Sequence, residues 1–191
     1  MRWLPLFAAA AASVFAQTAP FNDAGVSTGH IHLVVPNAEV DSVKKAWADV
    51  LGATPTSTLP NGAGMTPMKL PGVFIIVTAG NNTGATMGSV VNHVGFLVKD
   101  YAAIKAKAEA AMMPWRELTP NQQAFVTMPH DVTVEVQEDK TISVPVQFSH
   151  FHLTMPDQKG AQAWYIKEFG ASANSRRNGA VPSALLTPPK K

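Results

Sequence analysis

Histidines that open three similar segments are the residues of this sequence with the clearest capacity for chemistry. We call these the histidine segments: Gly29–Asn37 with His30, Asn92–Asp100 with His93, and Ser149–Asp157 with His150. In each, large apolar residues follow three and five positions after the histidine, and an Asn or Asp follows seven positions after it. Because strand side chains alternate between faces, the apolar residues share one face and the histidine lies on the other. We therefore predict strands with one packed face and one face that carries imidazoles, which bind metals and move protons.

A carboxylate is expected on the same face as one of these imidazoles. In the last predicted strand of the second repeat, Val132, Val134 and Val136 share one face, so Glu135 lies on the other. If the packed faces of the two strands coincide, Glu135 and His93 point the same way.

Each histidine segment begins a longer repeat in which a helix follows the first strand. The apolar spacing predicts helices over 41–51, over 101 to about 112, and over 161–170. Trp47 and Trp164 occupy corresponding helix positions, and we expect both to pack on a sheet. Later strands are expected in the first two repeats, whereas the third is expected to lack them.

The predicted organisation is a leader followed by three repeats. Its parts are a signal peptide (1–16), a linker (17–28), paired repeats (29–138, divided as 29–90 and 91–138) and an incomplete third repeat (149–191).

The first residues have the pattern of an export signal. Arg2 precedes an uncharged stretch of about 14 residues that ends in small side chains, which is too short to span a bilayer as a helix and predicts cleavage after Ala16. The expected location is therefore secreted or periplasmic, with no membrane association after cleavage. The chain contains no Cys, so neither disulfides nor sulfur ligands are available.

The charge balance argues against nucleic acid as a partner. The net charge is +2, and removal of Arg2 with the signal would leave +1. Adjacent Lys and Arg residues form only short pairs, such as Arg176–Arg177 and the terminal lysines, so the sequence offers no extended basic cluster for phosphates.

The repeated segments, together with the stretch Pro129–Val136 that closes the second repeat, resemble the vicinal oxygen chelate superfamily. That superfamily includes glyoxalase I, bleomycin-resistance proteins, fosfomycin-resistance enzymes and extradiol dioxygenases. The resemblance implies an α+β fold, in which tandem βαβββ modules form an open, curled, barrel-like sheet with helices outside. Residues 29–138 carry it well, and 149–170 carry it partially.

The resemblance also implies a metal site. Matched position by position, His30, His93 and Glu135 correspond to the ligands of one divalent metal, which is Fe, Mn, Zn or Ni for such a donor set. The pocket candidates that accompany them are His32, Phe125 and His130. The implied partner is a small-molecule substrate with two adjacent oxygens, handled by a lyase, isomerase or dioxygenase reaction.

Two departures from the family pattern leave alternatives open. The last strand of the first repeat, 73–77, contains no ligand where glyoxalase-like sites have a Glu, and Phe125 stands where an extradiol dioxygenase would have a Tyr. A metal-free ligand-binding protein of the bleomycin-resistance type and a degenerate, truncated family member are therefore the alternatives. The unpaired third repeat also suggests a homodimer, which would cover its exposed edge.

Overall fold

The structure is a computed structural model that describes residues 19–56, 67–82, 84–86, 88–176 and 180–186. The predicted signal peptide lies outside these ranges. No helix within them is long and apolar enough to cross a membrane.

The first module, which follows the 19–28 segment, is a four-stranded sheet with one helix. Its elements are β1 (His30–Val35), α1 (Val40–Leu51), β2 (Thr54–Pro55), β3 (Met68–Leu70) and β4 (Val73–Ala79). The strand order is β1-β4-β3-β2, with β1 parallel to β4 and the other pairs antiparallel. The helix forms because Val43, Trp47, Val50 and Leu51 recur on one face and are all buried, and it stops at Gly52 with a φ of 76°.

The second module repeats this plan and gains a strand from the third. Its elements are β5 (Val91–Val98), α2 (Tyr101–Ala110), β6 (Trp115–Thr119), β7 (Gln123–Met128) and β8 (Val132–Glu138). The sheet order is β6-β7-β8-β5-β9, where β9 (Val146–Leu153) is the first strand of the third module. The second module is thus joined through its sheet to the third, whereas we expected it to pair with the first.

The third module continues with α3 (Gln158–Phe169), β10 (Ser172–Arg176) and β11 (Val181–Leu185). The expectation that strands are missing after the third helix was wrong, because β10 and β11 form an antiparallel hairpin against which α3 packs. Trp164 is 51% exposed, so its predicted core position was also wrong. α3 buries none of its side chains completely, because only a two-stranded hairpin lies beneath it.

The last residue of a histidine segment starts the following helix in two modules. The Asp100 carboxylate accepts a hydrogen bond from the Ala103 N–H (2.9 Å), and that of Asp157 accepts one from the Gly160 N–H (2.8 Å). Each carboxylate satisfies a backbone donor that the first helical turn leaves unpaired. This explains the Asp at that position in the second and third segments; in the first, Asn37 lies two residues before Glu39, the N-cap of α1.

One hydrophobic core joins the first two modules. Trp47 from α1 is completely buried, and its ring meets Phe96 of β5 edge to face at 6.2 Å. Phe148 of β9 continues this contact, with its ring 5.7 Å from Phe96. The α+β class with open sheets and outer helices, predicted from the sequence, is confirmed.

Candidate metal centre

His93 and Glu135 meet on neighbouring parallel strands of the second module. In the register of β5 and β8, Glu135 lies beside Gly95, two residues from His93 and on the same face of the sheet. The His93 Nε2 is 2.8 Å from the Glu135 Oε2, and the two residues are only 3% and 5% exposed. The structure thus brings these two predicted ligands together.

The third side chain of this cluster is His150 from β9. Its Nε2 lies 3.7 Å from the Glu135 Oε2, and each of the three residues offers a ligand atom within 4.8 Å of the other two. Gly95 makes this approach possible, because a Cβ at that position would lie 2.2 Å from the His150 ring. We call His93, Glu135 and His150 the imidazole–carboxylate cluster.

The Glu135 carboxylate is held in its charged form. Its Oε1 accepts a hydrogen bond of 2.7 Å from the Gln123 side-chain amide on β7. Burial by itself would raise the pKa of the Glu135 carboxyl, but the contacts with His150, His93 and Gln123 outweigh burial and hold that pKa well below its ordinary value. The cluster therefore contains a buried negative charge.

One nitrogen of each imidazole contacts the preceding residue in the sequence, and the other nitrogen points into the cluster. The Nδ1 of His93 is 2.8 Å from the Asn92 Oδ1, and that of His150 is 3.1 Å from the Ser149 Oγ. An amide oxygen accepts only, so the His93 Nδ1 carries the proton and its Nε2 keeps a lone pair in the neutral ring. Both Nε2 atoms are buried, and within the described part of the chain neither makes a hydrogen bond, although Glu135 lies close to each of them.

This donor set fits a divalent cation. When both rings are neutral, two lone pairs and a carboxylate converge in this buried space, and a positive charge between them, either a proton or a metal ion, offsets their repulsion. Two imidazoles and one carboxylate are the ligands that Fe(II), Mn(II), Zn(II) and Ni(II) accept, and the Asn92 oxygen favours the ligating tautomer of His93.

Aromatic rings form the wall of the cluster. The His93 ring centroid lies 4.8 Å from that of Phe125 and 4.6 Å from that of His152. The Arg116 guanidinium sits over the outer side of Phe125 at 4.9 Å. Only His150 has an appreciably exposed side chain (20%), so the cluster is accessible from the β9 side.

His30, the remaining predicted ligand, is not part of this cluster. It lies on β1 in the other sheet, where it is exposed and its ring neighbours that of His32 at 6.0 Å. The structure therefore does not bring His30 together with His93 and Glu135 as we predicted, because β1 lies in the other sheet and β5 pairs with β9. His150 takes the place that we expected His30 to fill.

The pocket candidates separate in the structure. Phe125 lies in the cluster wall, whereas His32 and His130 line a separate cleft of about 400 Å³ between β1, α1 and the start of β8. In that cleft the His130 Nε2 lies 3.0 Å from the Glu39 carboxylate, and its Nδ1 lies 3.3 Å from the Asn82 amide. The three candidates therefore do not share one pocket.

Comparisons with known proteins find similarity in structure alone. No family profile matches the chain, and no curated protein matches its sequence. A protein from Bacillus subtilis assigned to the dioxygenases matches with a TM-score of 0.54 and 15% identity, over 90% of this chain and 61% of that one. This chain thus spans about three fifths of that protein's length.

Shorter proteins match part of the chain. One from Bacillus anthracis, assigned to the glyoxalase family, matches with a TM-score of 0.48 and 14% identity, over 59% of this chain and 94% of that one. The fosfomycin-resistance protein FosX from Listeria monocytogenes, solved with Mn(II) and sulfate, matches with a TM-score of 0.45 and 13% identity, over 59% and 89%. The fold of this chain is therefore similar to that of the Bacillus subtilis protein, and it agrees with the fold that the resemblance of the sequence implies.

Proposed function

We propose that this chain is an exported, metal-dependent enzyme that acts on a small molecule with two adjacent oxygen atoms. His93, Glu135 and His150 would hold one divalent metal, with Fe, Mn, Zn and Ni as the candidates. The observation that carries the proposal is that the Nε2 atoms of His93 and His150 converge on a buried carboxylate and that, among the described residues, neither nitrogen has a hydrogen-bond partner.

A proton is the competing occupant of this space, and the surrounding residues favour a metal over it. A proton on the His93 Nε2 would create an imidazolium next to Glu135, yet the contact of 2.8 Å lacks the geometry of a hydrogen bond. The Asn92 oxygen already holds the ring proton on Nδ1. A metal ion needs lone pairs directed at it, and the neutral rings provide them.

A bound metal would supply Lewis acidity and free coordination positions for two neighbouring substrate oxygens. The residues around the metal would orient the ligands and shape the site. Gln123 keeps the carboxylate oriented, Asn92 and Ser149 contact the Nδ1 atoms of the two imidazoles, and the rings of Phe125 and His152 pack against His93. A substrate would enter past His150, the most exposed side chain of the three.

The number of protein ligands supports a reaction at a metal held by three side chains over a glyoxalase I reaction, whose site has a fourth ligand. In the first module, Ile76 lies beside His32 in the same register in which Glu135 lies beside Gly95 in the second. No carboxylate therefore stands at the first module's equivalent position. A lyase, isomerase or dioxygenase step on a metal-bound pair of oxygens is the proposed class.

The test is metal binding by the purified protein, measured by elemental mass spectrometry and by titration with each candidate metal. We expect about one equivalent per chain in the wild type, and a strong loss of affinity in His93→Gln, Glu135→Gln and His150→Gln. His30→Gln is the matched control, because it removes an exposed imidazole from the same position of another histidine segment. Circular dichroism shows whether each variant is folded, and the intact mass shows whether cleavage after Ala16 has occurred.

A wild type that takes up no metal after reconstitution would refute the proposal. The metal-free binding protein would then be the better interpretation. Equal losses in His30→Gln and His150→Gln would refute the assignment of the ligands.

A further inference from the structure

A lone cation lies on the face of the five-stranded sheet that carries the imidazole–carboxylate cluster. Arg116 on β6 is the only lysine or arginine in these five strands, all of which lie within the described ranges. It lies directly opposite Phe125, so the two side chains share a face, and the guanidinium lies over the Phe125 ring at 4.9 Å. The next residue, Glu117, points to the other face, where it contacts Lys105 and the Tyr101 hydroxyl. Arg116 is exposed and forms no ion pair with any described residue.

Strand register places Arg116 in line with the cluster. From one edge of the sheet to the other, the residues opposite one another are Arg116, Phe125, Glu135, Gly95 and His150. Directly opposed residues of neighbouring strands point to the same face, so this row runs from a cation to two of the candidate metal ligands. Neighbouring strands lie about 4.8 Å apart, which puts the Arg116 backbone about 10 Å from that of Glu135.

The space between the guanidinium and the cluster suits one small molecule. The Phe125 ring lies in this interval, with its centroid 4.9 Å from the Arg116 Cζ and 4.8 Å from the His93 ring centroid. Phe125 is only partly buried, so the face is open between the two ends. A guanidinium that lies over an aromatic ring still directs N–H donors outward from its edge, and pairs of these donors match the oxygens of a carboxylate or a phosphate.

We propose that Arg116 binds an acidic group of the substrate, so that the molecule handled at the cluster is a small anion. Its two adjacent oxygens would lie at the cluster, and its carboxylate or phosphate group would lie at the guanidinium, on the far side of the Phe125 ring. The positive charge would also attract anions to this face before they bind. The inference rests on the proposed function, because the cluster must hold the other end of the substrate.

Binding of two matched ketoacids to the metal-loaded protein is the test. α-Ketoglutarate has two adjacent oxygens at one end and a carboxylate at the other, whereas α-ketovalerate has the same pair of oxygens and no second carboxylate. We expect calorimetry of the Mn(II)-loaded protein to show about 10- to 100-fold tighter binding of α-ketoglutarate, the range that hydrogen bonds to a charged group supply. The phosphonate analogue of α-ketoglutarate shows which acidic group is preferred.

Variants assign this preference to Arg116. Arg116→Gln should bind both ketoacids as weakly as the wild type binds α-ketovalerate, and Arg116→Lys should recover only part of the preference, because an ammonium group lacks the paired donors. Lys105→Gln is the matched control, since it removes one positive charge from the opposite face of the same module. Equal affinity of the wild type for the two ketoacids overturns the proposal, as does an equal loss of preference in Lys105→Gln. Arg116 would then only protect the edge of β6 from strand pairing.

A measurement on the metal-free protein separates this proposal from the proposed function. Butyrate should shift the NMR signal of the Arg116 Nε–H in a saturable way, and chloride at the same ionic strength should not. A protein that takes up no metal but shows this shift would refute the proposed function and retain the anion site. A protein that binds the metal but shows neither the shift nor the ketoacid preference overturns the role of Arg116 alone.

Discussion

Gly95→Ala is the substitution that best tests how the imidazole–carboxylate cluster is built. A Cβ on residue 95 would lie 2.2, 2.5 and 2.6 Å from Cε1, Nδ1 and Nε2 of His150, where ordinary contacts begin at 3.4 Å. The imidazole must therefore move by about 1 Å or more, which is enough to remove its Nε2 from a metal site. Because the His150 side chain is 20% exposed, the ring can turn outward without unfolding the sheet.

The expected loss is large for metal affinity and small for stability. Removing a partner that only supports a ligand costs 10- to 100-fold in affinity, so displacing a ligand itself should cost about 100-fold or more. That corresponds to about 2.7 kcal/mol of binding free energy. The methyl group also reduces the freedom of the unfolded chain, which stabilises the fold by about 0.4–1 kcal/mol and offsets part of the strain.

The assay is metal titration by calorimetry, with thermal unfolding of the metal-free protein alongside. Gly29→Ala is the matched control, because a Cβ at residue 29 meets nothing within 4 Å. The double variant Gly95→Ala/His150→Gln closes a thermodynamic cycle. We expect Gly95→Ala to cost almost nothing once His150 is gone. Two results would refute the reasoning. One is a metal affinity of Gly95→Ala equal to that of the wild type, and the other is an equal loss of affinity from Gly95→Ala with His150 present and with His150→Gln.

Two further predictions concern the fold. Burial raises the pKa of Tyr101 above its ordinary value of 10.0. The stability that the neutral phenol contributes is therefore complete below pH 10.0 and is lost as the pH rises through the higher pKa of the folded state. Tyr101→Phe should flatten the fall in unfolding free energy over that pH range. Asn22 is buried, and its amide donates hydrogen bonds to two carbonyls at the end of α3, at 2.7 and 3.3 Å. Asn22→Ala should lower the free energy of unfolding by about 1–3 kcal/mol and increase hydrogen exchange in α3. Asn37→Ala is the control, because Asn37 is exposed and its substitution should do neither.

Each of these has an outcome that would contradict it. The Tyr101 prediction fails if denaturant unfolding gives parallel pH profiles for wild type and variant above pH 10. The Asn22 prediction fails if exchange increases only in the 19–28 segment, since that segment would then not hold α3 in place.

The features that the sequence could predict are those decided by neighbouring residues. The α1 helix followed from the spacing of its apolar side chains and from Gly52 at its end, and both are seen. The same rules placed Trp164 in a core, yet it is half exposed. Burial of a helix face depends on the sheet beneath it, and the third module offers α3 a hairpin where the first offers α1 four strands.

Which histidine completes the cluster is decided by strand pairing, and a strand's own residues do not specify its neighbour. His30 and His150 open equivalent segments, so the family pattern alone favoured the first. One sequence difference between the segments does indicate which histidine joins the cluster. Only the second segment has glycine two residues after its histidine, although glycine inside a strand costs stability and supplies no side chain to pack. Such a glycine indicates close approach by another group, and a bulky ring from a paired strand is that group here.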